Sequence, residues 1–411
     1  MATGGTGNAE GRQRRLEAEL DLVLDRHDDI AVSPASWRQR GGFDYLHRKG
    51  EYLIADRDLA RVLPRLREDD SHVEIVDSLT EGVSLLRGRY PSIERTLDRL
   101  DAIFGPGVVT PNHVLAVCDK VHLCPASEPE EPAKNADPRP RVGDDGVGQG
   151  VRVAVVDTGF LEEGYDHQWL QDVIADPSDI EDPDSWPSPD GFIDPYAGHG
   201  TFIAGVIRCL APAAEVTVEQ VIDQAGVVDE AALIVQLDEA LAKSPDVISF
   251  SAGAQTRANL PPKAFVEFYE NRLRHHKGVV LVAAAGNDGD RIPFWPAAFP
   301  WAVSVGALGP DSDTRADFSN FGGWVDVYAP GVDLVNAYAT GQYRTVVDPT
   351  DIRNFQGMCQ WSGTSFSTPV VAGLIAGQMA RIGQNGQQAA AALLDQARSQ
   401  ALPGVGPRLW F

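Results

Sequence analysis

Val151-Arg152-Val153-Ala154-Val155-Val156-Asp157-Thr158-Gly159 is a short apolar, β-branched run that stops at an acid and a turn-forming glycine. A run without polar alternation suits a strand covered on both faces, where both sets of side chains must be apolar. Similar runs follow at Val216 to Val221, Val247 to Phe250, Val279 to Ala283 and Ala302 to Val305. Helical spacing falls between them at Glu230 to Leu241 and Ala264 to Leu273. Strands alternating with helices predict an α/β region, a mainly parallel sheet flanked by helices with its functional loops at the carboxyl ends of the strands.

Outward from this region the texture changes. Residues 127–150 interleave Pro129, Pro132, Pro138 and Pro140 with acids and then Gly143, Gly146, Gly148 and Gly150. Such a stretch interrupts both helix and strand and reads as a linker that buries little. Before it, Leu16, Leu20, Val23 and Leu24 mark one helix, Tyr52 to Ala55 a strand, and Leu59, Val62, Leu63 and Leu66 a helix that contains Pro64. Ile93, Leu97, Leu100 and Phe104 mark another helix, and Val114 to Val117 a further strand. Residues 1–126 are therefore expected to form a smaller α+β domain, and residues 151–411 the α/β domain.

Composition narrows the function. With 35 Lys and Arg against 59 Asp and Glu, the formal net charge of -24 repels polyphosphate and argues against nucleic acid as a partner. No run of 18 apolar residues occurs, so no membrane association is expected. The polar N-terminus has no apolar core of a secretory signal, and the expected location is cytoplasmic. Cys118, Cys124, Cys209 and Cys359 lack the paired spacing of a zinc site and are expected to be reduced, structural thiols.

Four segments place a reactive side chain among small residues near the end of an apolar run. Asp157 follows Val156 and, if buried, needs a dedicated partner, although Asp-Thr-Gly alone is also an ordinary turn. His199, between Gly198 and Gly200, can be approached closely by another backbone; an imidazole with an ordinary pKa near ~6.5 serves as a general base once a carboxylate fixes its tautomer. Ser365 precedes Pro369 and a small-residue helical run, which puts it at a helix N-terminus where developing negative charge is favoured; helix capping is the plainer role. Asn287, after Ala284-Ala285-Gly286, can present an amide to an oxyanion or simply turn the chain.

Together, Asp157-Thr158-Gly159, His199-Gly200-Thr201, Asn287 and Gly363-Thr364-Ser365 with Pro369 resemble the subtilisin-like serine proteases over roughly residues 151–377. Their Asp, His, Ser order is that of subtilisin. The resemblance implies a subtilisin-like fold and a serine endopeptidase with Asp157, His199 and Ser365 as its triad and Asn287 in the oxyanion hole. It implies that Ser251, Ala252 and Gly253 form one edge for an extended peptide or protein substrate and Gly226, Val227 and Val228 the other. Ala284, Ala285 and Gly286 would wall the pocket for the side chain before the cut bond, and bulky Phe294 would make it shallow.

The sequence departs from well-known members in two places. Gly205 to Pro212 continues directly toward the next strand where those members insert a calcium loop, so no metal or other cofactor is expected. Phe202 stands where a second histidine is common. The N-terminal unit has the size of a prodomain, which would act as an intramolecular inhibitor, or it is a permanent regulatory domain. An acyl-enzyme resolved by an amine would make the protein a peptide ligase or macrocyclase, and a blocked cleft would make it a non-enzymatic scaffold.

Overall fold

The computed structural model describes residues 7–80, 82–89, 93–117, 126–186 and 188–411. The N-terminal part comprises α1 (Gly7–Arg26), β1 (Ile30–Ser33), α2 (Trp37–Arg40), β2 (Tyr45–Ala55), α3 (Asp56–Asp69), β3 (Glu74–Thr80), β4 (Val83–Arg87), α4 (Ile93–Phe104) and β5 (Val109–Ala116). Its strands pair antiparallel in the order β5-β2-β4-β3, with β1 added on β2. Side chains alternate across such a sheet, so Tyr52 and Ile54 pack on one face with Val62 and Leu66 of α3 and Leu97 and Leu100 of α4. Leu53, between them in sequence, points to the other face with Leu85 and Leu115.

The larger part contains β6 (Arg152–Asp157), β7 (Phe160–Leu161), β8 (Ile174–Ala175), β9 (Ile180–Glu181), β10 (Phe192–Ile193), α5 (His199–Leu210), β11 (Glu215–Gln220) and β12 (Val227–Asp229). It continues through α6 (Glu230–Ala242), β13 (Val247–Phe250), α7 (Lys263–Asn271), β14 (Val280–Ala284), β15 (Ala302–Leu308) and β16 (Val327–Pro330). It closes with β17 (Leu334–Arg344), β18 (Ile352–Trp361), α8 (Thr364–Ile382) and α9 (Gly386–Ser399). Seven strands form a parallel sheet in the order β16-β15-β14-β13-β6-β11-β8. This is the α/β sheet that the apolar runs predict.

Each face of that sheet has its own cover, which explains why β6 is apolar throughout. Val153 and Val155 join a core with Ile203 and Val206 of α5 and Val370 and Val371 of α8. Ala154 and Val156 point the other way, toward Leu233 and Leu237 of α6 and Phe265 of α7. Burying one such aliphatic side chain contributes about 1.5–3 kcal/mol, so a polar residue on either face would be costly. The outer face of the N-terminal sheet, with Leu53, Leu85 and Leu115, packs on this α6–α7 layer. Among the described residues no helix is long and apolar enough to cross a membrane.

Residues 126–141 differ from a stretch that buries little. Glu130 forms an antiparallel bridge with Gln360 of β18, and Arg139 forms one with Val335 of β17. Glu128 is buried, its carboxylate accepting from Tyr343 Oη at 2.8 Å and from the N–H groups of Val346 at 2.9 Å and Val347 at 3.3 Å. The β17–β18 hairpin offers unpaired backbone along its edges, and a proline-broken chain can still satisfy it one residue at a time. At the entry to α9, Asn385 and Gln388 form a reciprocal capping box.

Candidate active site

The acid and the imidazole meet because the end of β6 lies against the start of α5. His199 Nδ1–H donates to Asp157 Oδ1 at 2.6 Å, and the Thr158 N–H donates to the same oxygen at 2.9 Å. Gly200 is required for this approach: a Cβ there would lie 2.4 Å from the Gly159 carbonyl oxygen. Gly198, the residue before His199, has φ 79°, a left-handed conformation that favours glycine. Both functional side chains are buried, and among the described residues His199 Nε2 and Asp157 Oδ2 have no hydrogen-bond partner. Trp361 meets the imidazole edge-on with ring centroids 5.6 Å apart, and Phe366 packs at 5.3 Å.

Ser365 is the second residue of α8, where the first-turn amides have no acceptor inside the helix. Its hydroxyl is directed at two carbonyls, those of Val117 at 3.3 Å and Ser251 at 3.4 Å. Asn287 lies beside it. The Asn287 Oδ1 accepts from the Thr364 N–H at 2.9 Å and the Thr364 hydroxyl at 3.0 Å, while Thr364 Oγ1 accepts from the Gly286 N–H at 3.1 Å. These bonds hold the oxygen end of the amide against α8 and turn its NH2 group away from Thr364.

The two edges expected to hold substrate are brought together around β5. Val227 and Val228 pair with Ala116 and Leu115, and the Val117 N–H donates to the Gly226 carbonyl at 2.9 Å. On the opposite side Ala116 and Gly253 exchange both backbone bonds at 2.9 Å, and Ser251 donates its hydroxyl to the Ser365 carbonyl at 2.9 Å. Ala252 between them is buried in the α6–α7 core. Ala284, Ala285 and Gly286 follow in line at the end of β14, and the next turn brings Phe294 beneath Gly253. A Cβ on Gly253 would come within 2.5 Å of the Phe294 ring, which is itself buried.

The chain also binds the segment that leads into Ser365. The Ser127 N–H donates to the Ser362 carbonyl at 3.3 Å, the Ser362 N–H donates to Ser127 Oγ at 3.1 Å, and Trp361 Nε1–H donates to the Ser127 carbonyl at 2.7 Å. Val117 thus contacts the serine itself, and Ser127 the Trp361–Ser362 segment that leads into it.

Sequence reasoning missed Thr364, Thr158 and Glu181. Thr364 and Thr158 were legible in principle as hydroxyls adjoining Ser365 and Asp157, whereas Glu181 lies in an acid-rich stretch with no pattern to single it out. Its carboxylate accepts from the Gly198 N–H at 2.9 Å and the Thr158 hydroxyl at 3.3 Å. Burial pushes the Cys209 thiol up to about 12 and raises that of Cys359 well above its ordinary value, so neither is poised to react. Cys118 and Cys124 lie outside the described residues.

Known proteins point the same way. The chain is 31% identical over 268 residues to thermitase of Thermoactinomyces vulgaris, covering 63% of this chain and 85% of that protein. It is 31% identical over 280 residues to an intracellular serine protease of Paenibacillus polymyxa, covering 62% and 77% respectively. A solved structure of the PatA protease domain, in mutant form, shares the fold at a TM-score of 0.51 and 24% identity, covering 65% of this chain and 94% of that one. The subtilase family model matches residues 148–405, more than half of the sequence; the chain belongs to the subtilase family and is a serine-type endopeptidase.

Proposed function

We propose that the protein hydrolyses peptide bonds through an acyl-enzyme on Ser365, with His199 as proton shuttle, Asp157 as its orienting carboxylate and Asn287 as an oxyanion donor. The observation that carries this reading is the buried 2.6 Å bond from His199 to Asp157, with Phe366, the residue after Ser365, packed on the imidazole at 5.3 Å between ring centroids. With its Nδ1 proton given to Asp157, neutral His199 keeps a lone pair on Nε2 for the serine proton. Attack on the scissile carbonyl sends that proton to Nε2 and negative charge to the former carbonyl oxygen. The Asn287 NH2 and the Ser365 N–H meet that charge, as does the positive end of α8. His199 then protonates the leaving amine, and water repeats the sequence to free the acid.

The N-terminal unit is read as an intramolecular inhibitor. Its last strand fills the groove between Gly226–Val228 and Ser251–Gly253, and the Val117 carbonyl holds the Ser365 hydroxyl. Polar clamps reinforce the docking: Arg57 makes two 2.8 Å bonds to the buried Glu267 carboxylate, and Asn112 Oδ1 accepts the Ala231 N–H at the start of α6 at 3.0 Å.

A fluorophosphonate probe and a protein substrate test the reading on the full-length chain. Labelling is expected on Ser365 alone, lost in Ser365→Ala, with product peptides whose summed mass exceeds the substrate's by one water per cut in mass spectrometry. Products joined through a new amide would mark ligation instead. An unlabelled Ser365 even after β5 is displaced by Ala116→Pro would refute the catalytic assignment.

A further inference from the structure

The structure assigns Glu181 a positioning role: its carboxyl group ties the backbone on both sides of His199 to the residue that follows Asp157, and so sets the geometry of the acid–imidazole pair. The inference rests on the proposed reading of Asp157 and His199 as acid and base. Glu181 ends β9, whose ladder with β7 sets Glu181 opposite Leu161, four residues beyond Asp157. One oxygen, Oε2, accepts from the Gly198 N–H at 2.9 Å and the Thr158 hydroxyl at 3.3 Å. The Thr158 oxygen in turn accepts from the Gly200 N–H at 3.1 Å, and the Thr158 N–H binds Asp157 Oδ1. The amides immediately before and after His199 therefore both run through this network to the Asp157 loop.

Local chemistry explains why an outside carboxyl is used. The residue preceding α5 is a glycine with no side chain to cap the helix, and its left-handed φ leaves its own N–H directed out of the helix. A buried amide without an acceptor costs about 1–3 kcal/mol, and Glu181 supplies that acceptor from a neighbouring strand. Burial raises the pKa of Glu181 well above the ordinary carboxyl range, and Asp157 on β6 and Asp194 before α5 push it further up. Tyr338 of β17, its own hydroxyl pushed well up by burial, faces the same carboxyl. These neighbours and its burial favour the neutral acid form of Glu181. It keeps an accepting oxygen without placing a second negative charge beside Asp157.

A neutral acceptor should be replaceable by an amide and not by a methyl group. Glu181→Gln and Glu181→Ala in the full-length chain separate the two by peptide hydrolysis across pH 5–9. Glu181→Ala is expected to lower kcat about 10- to 100-fold at an unchanged KM, the scale of a small misplacement of catalytic groups. Glu181→Gln is expected to stay within about threefold of wild type and to leave the acid limb of kcat/KM in place. A Glu181→Ala enzyme with wild-type kcat, or a Glu181→Gln enzyme as impaired as Glu181→Ala, would overturn the proposal. Should Glu181→Ala fail to fold, Thr158→Val removes the bridging hydroxyl and leaves the carboxyl in place; unchanged kcat there overturns it equally. Nitrogen-15 histidine spectra of Ser365→Ala chains, with and without Glu181→Ala, judge the geometry without turnover. An altered His199 Nδ1–H signal is expected, and an identical one counts against Glu181. Absence of hydrolysis by both the wild type and Ala116→Pro, which displaces β5 from the groove, would sink the proteolytic reading while these spectra still decide the positioning role.

Discussion

Two stretches of the same chain flank Ser365, and they are held by different kinds of bond. On one flank Ala116 and Val117 are fixed by backbone bonds to Gly253 and Gly226, which any extended peptide could make. On the other flank Ser127 and Glu130 also pair by backbone, but Glu128 adds a buried carboxylate with three donors and Trp361 adds an indole bond. The first contact is independent of side-chain identity and therefore exchangeable for substrate. The second is particular to this sequence and behaves as a fixture of the hairpin it completes. If the N-terminal unit inhibits as proposed, it acts on the serine, whose hydroxyl is drawn to Val117, while the His199–Asp157 bond stays assembled.

If the serine between the flanks is the chemical centre, Ser365→Ala should produce the largest effect. Turnover of a peptide substrate is expected to fall by about 10⁶-fold, the loss known for subtilisin's own nucleophile. Residual hydrolysis near wild type would place the chemistry elsewhere. Asn287→Ala comes next, with kcat expected to fall about 10²- to 10³-fold, again the magnitude known for subtilisin's oxyanion-hole asparagine. A changed KM with intact kcat would make Asn287 a ground-state contact only.

Breaking the exchangeable flank should be milder and opposite in sign. Ala116→Pro deletes the N–H given to Gly253, and each such bond is worth about 0.5–1.5 kcal/mol net. Labelling of Ser365 by a fluorophosphonate probe is expected to quicken about tenfold; an unchanged rate would mean that β5 does not limit access. Because the backbone flank carries no side-chain choice, selection is expected to involve Phe294, which packs against Gly253. Phe294→Ala is expected to raise kcat/KM for an aromatic residue before the cut bond, relative to alanine, by about tenfold. An unchanged ratio would remove Phe294 from the pocket floor.

How much of this was legible follows from what each region asks of its residues. A strand buried on both faces must be apolar throughout, so β6, β13, β14 and β15 announce themselves, and the acid at the end of β6 stands out against that background. The β17–β18 hairpin does not: Asn336, Gln342, Asn354 and Gln360 interrupt its apolar positions, and it has one packed face. Residues 126–141 hide for a related reason. Their prolines rule out a long strand, and single bridges to Gln360 and Val335 leave no period to read. Glu181 was invisible because its role depends on one amide at Gly198 and a hydroxyl at Thr158 that only folding brings near, whereas Asp157, His199, Asn287 and Ser365 each carry a local signature.

The smallest change in access is expected on the fixed flank. Glu128→Ala leaves the Tyr343 hydroxyl and the Val346 and Val347 N–H groups without their acceptor, a loss of about 1–3 kcal/mol in folding stability that thermal unfolding would register. The backbone pairs of Ser127 with Ser362 and of Glu130 with Gln360 remain, so the strand keeps its course past the serine. Probe labelling should therefore change by less than about twofold, well short of the shift expected for Ala116→Pro. A tenfold gain in Glu128→Ala would show that the two flanks guard Ser365 alike, and the distinction between an exchangeable strand and a fixed one would fall.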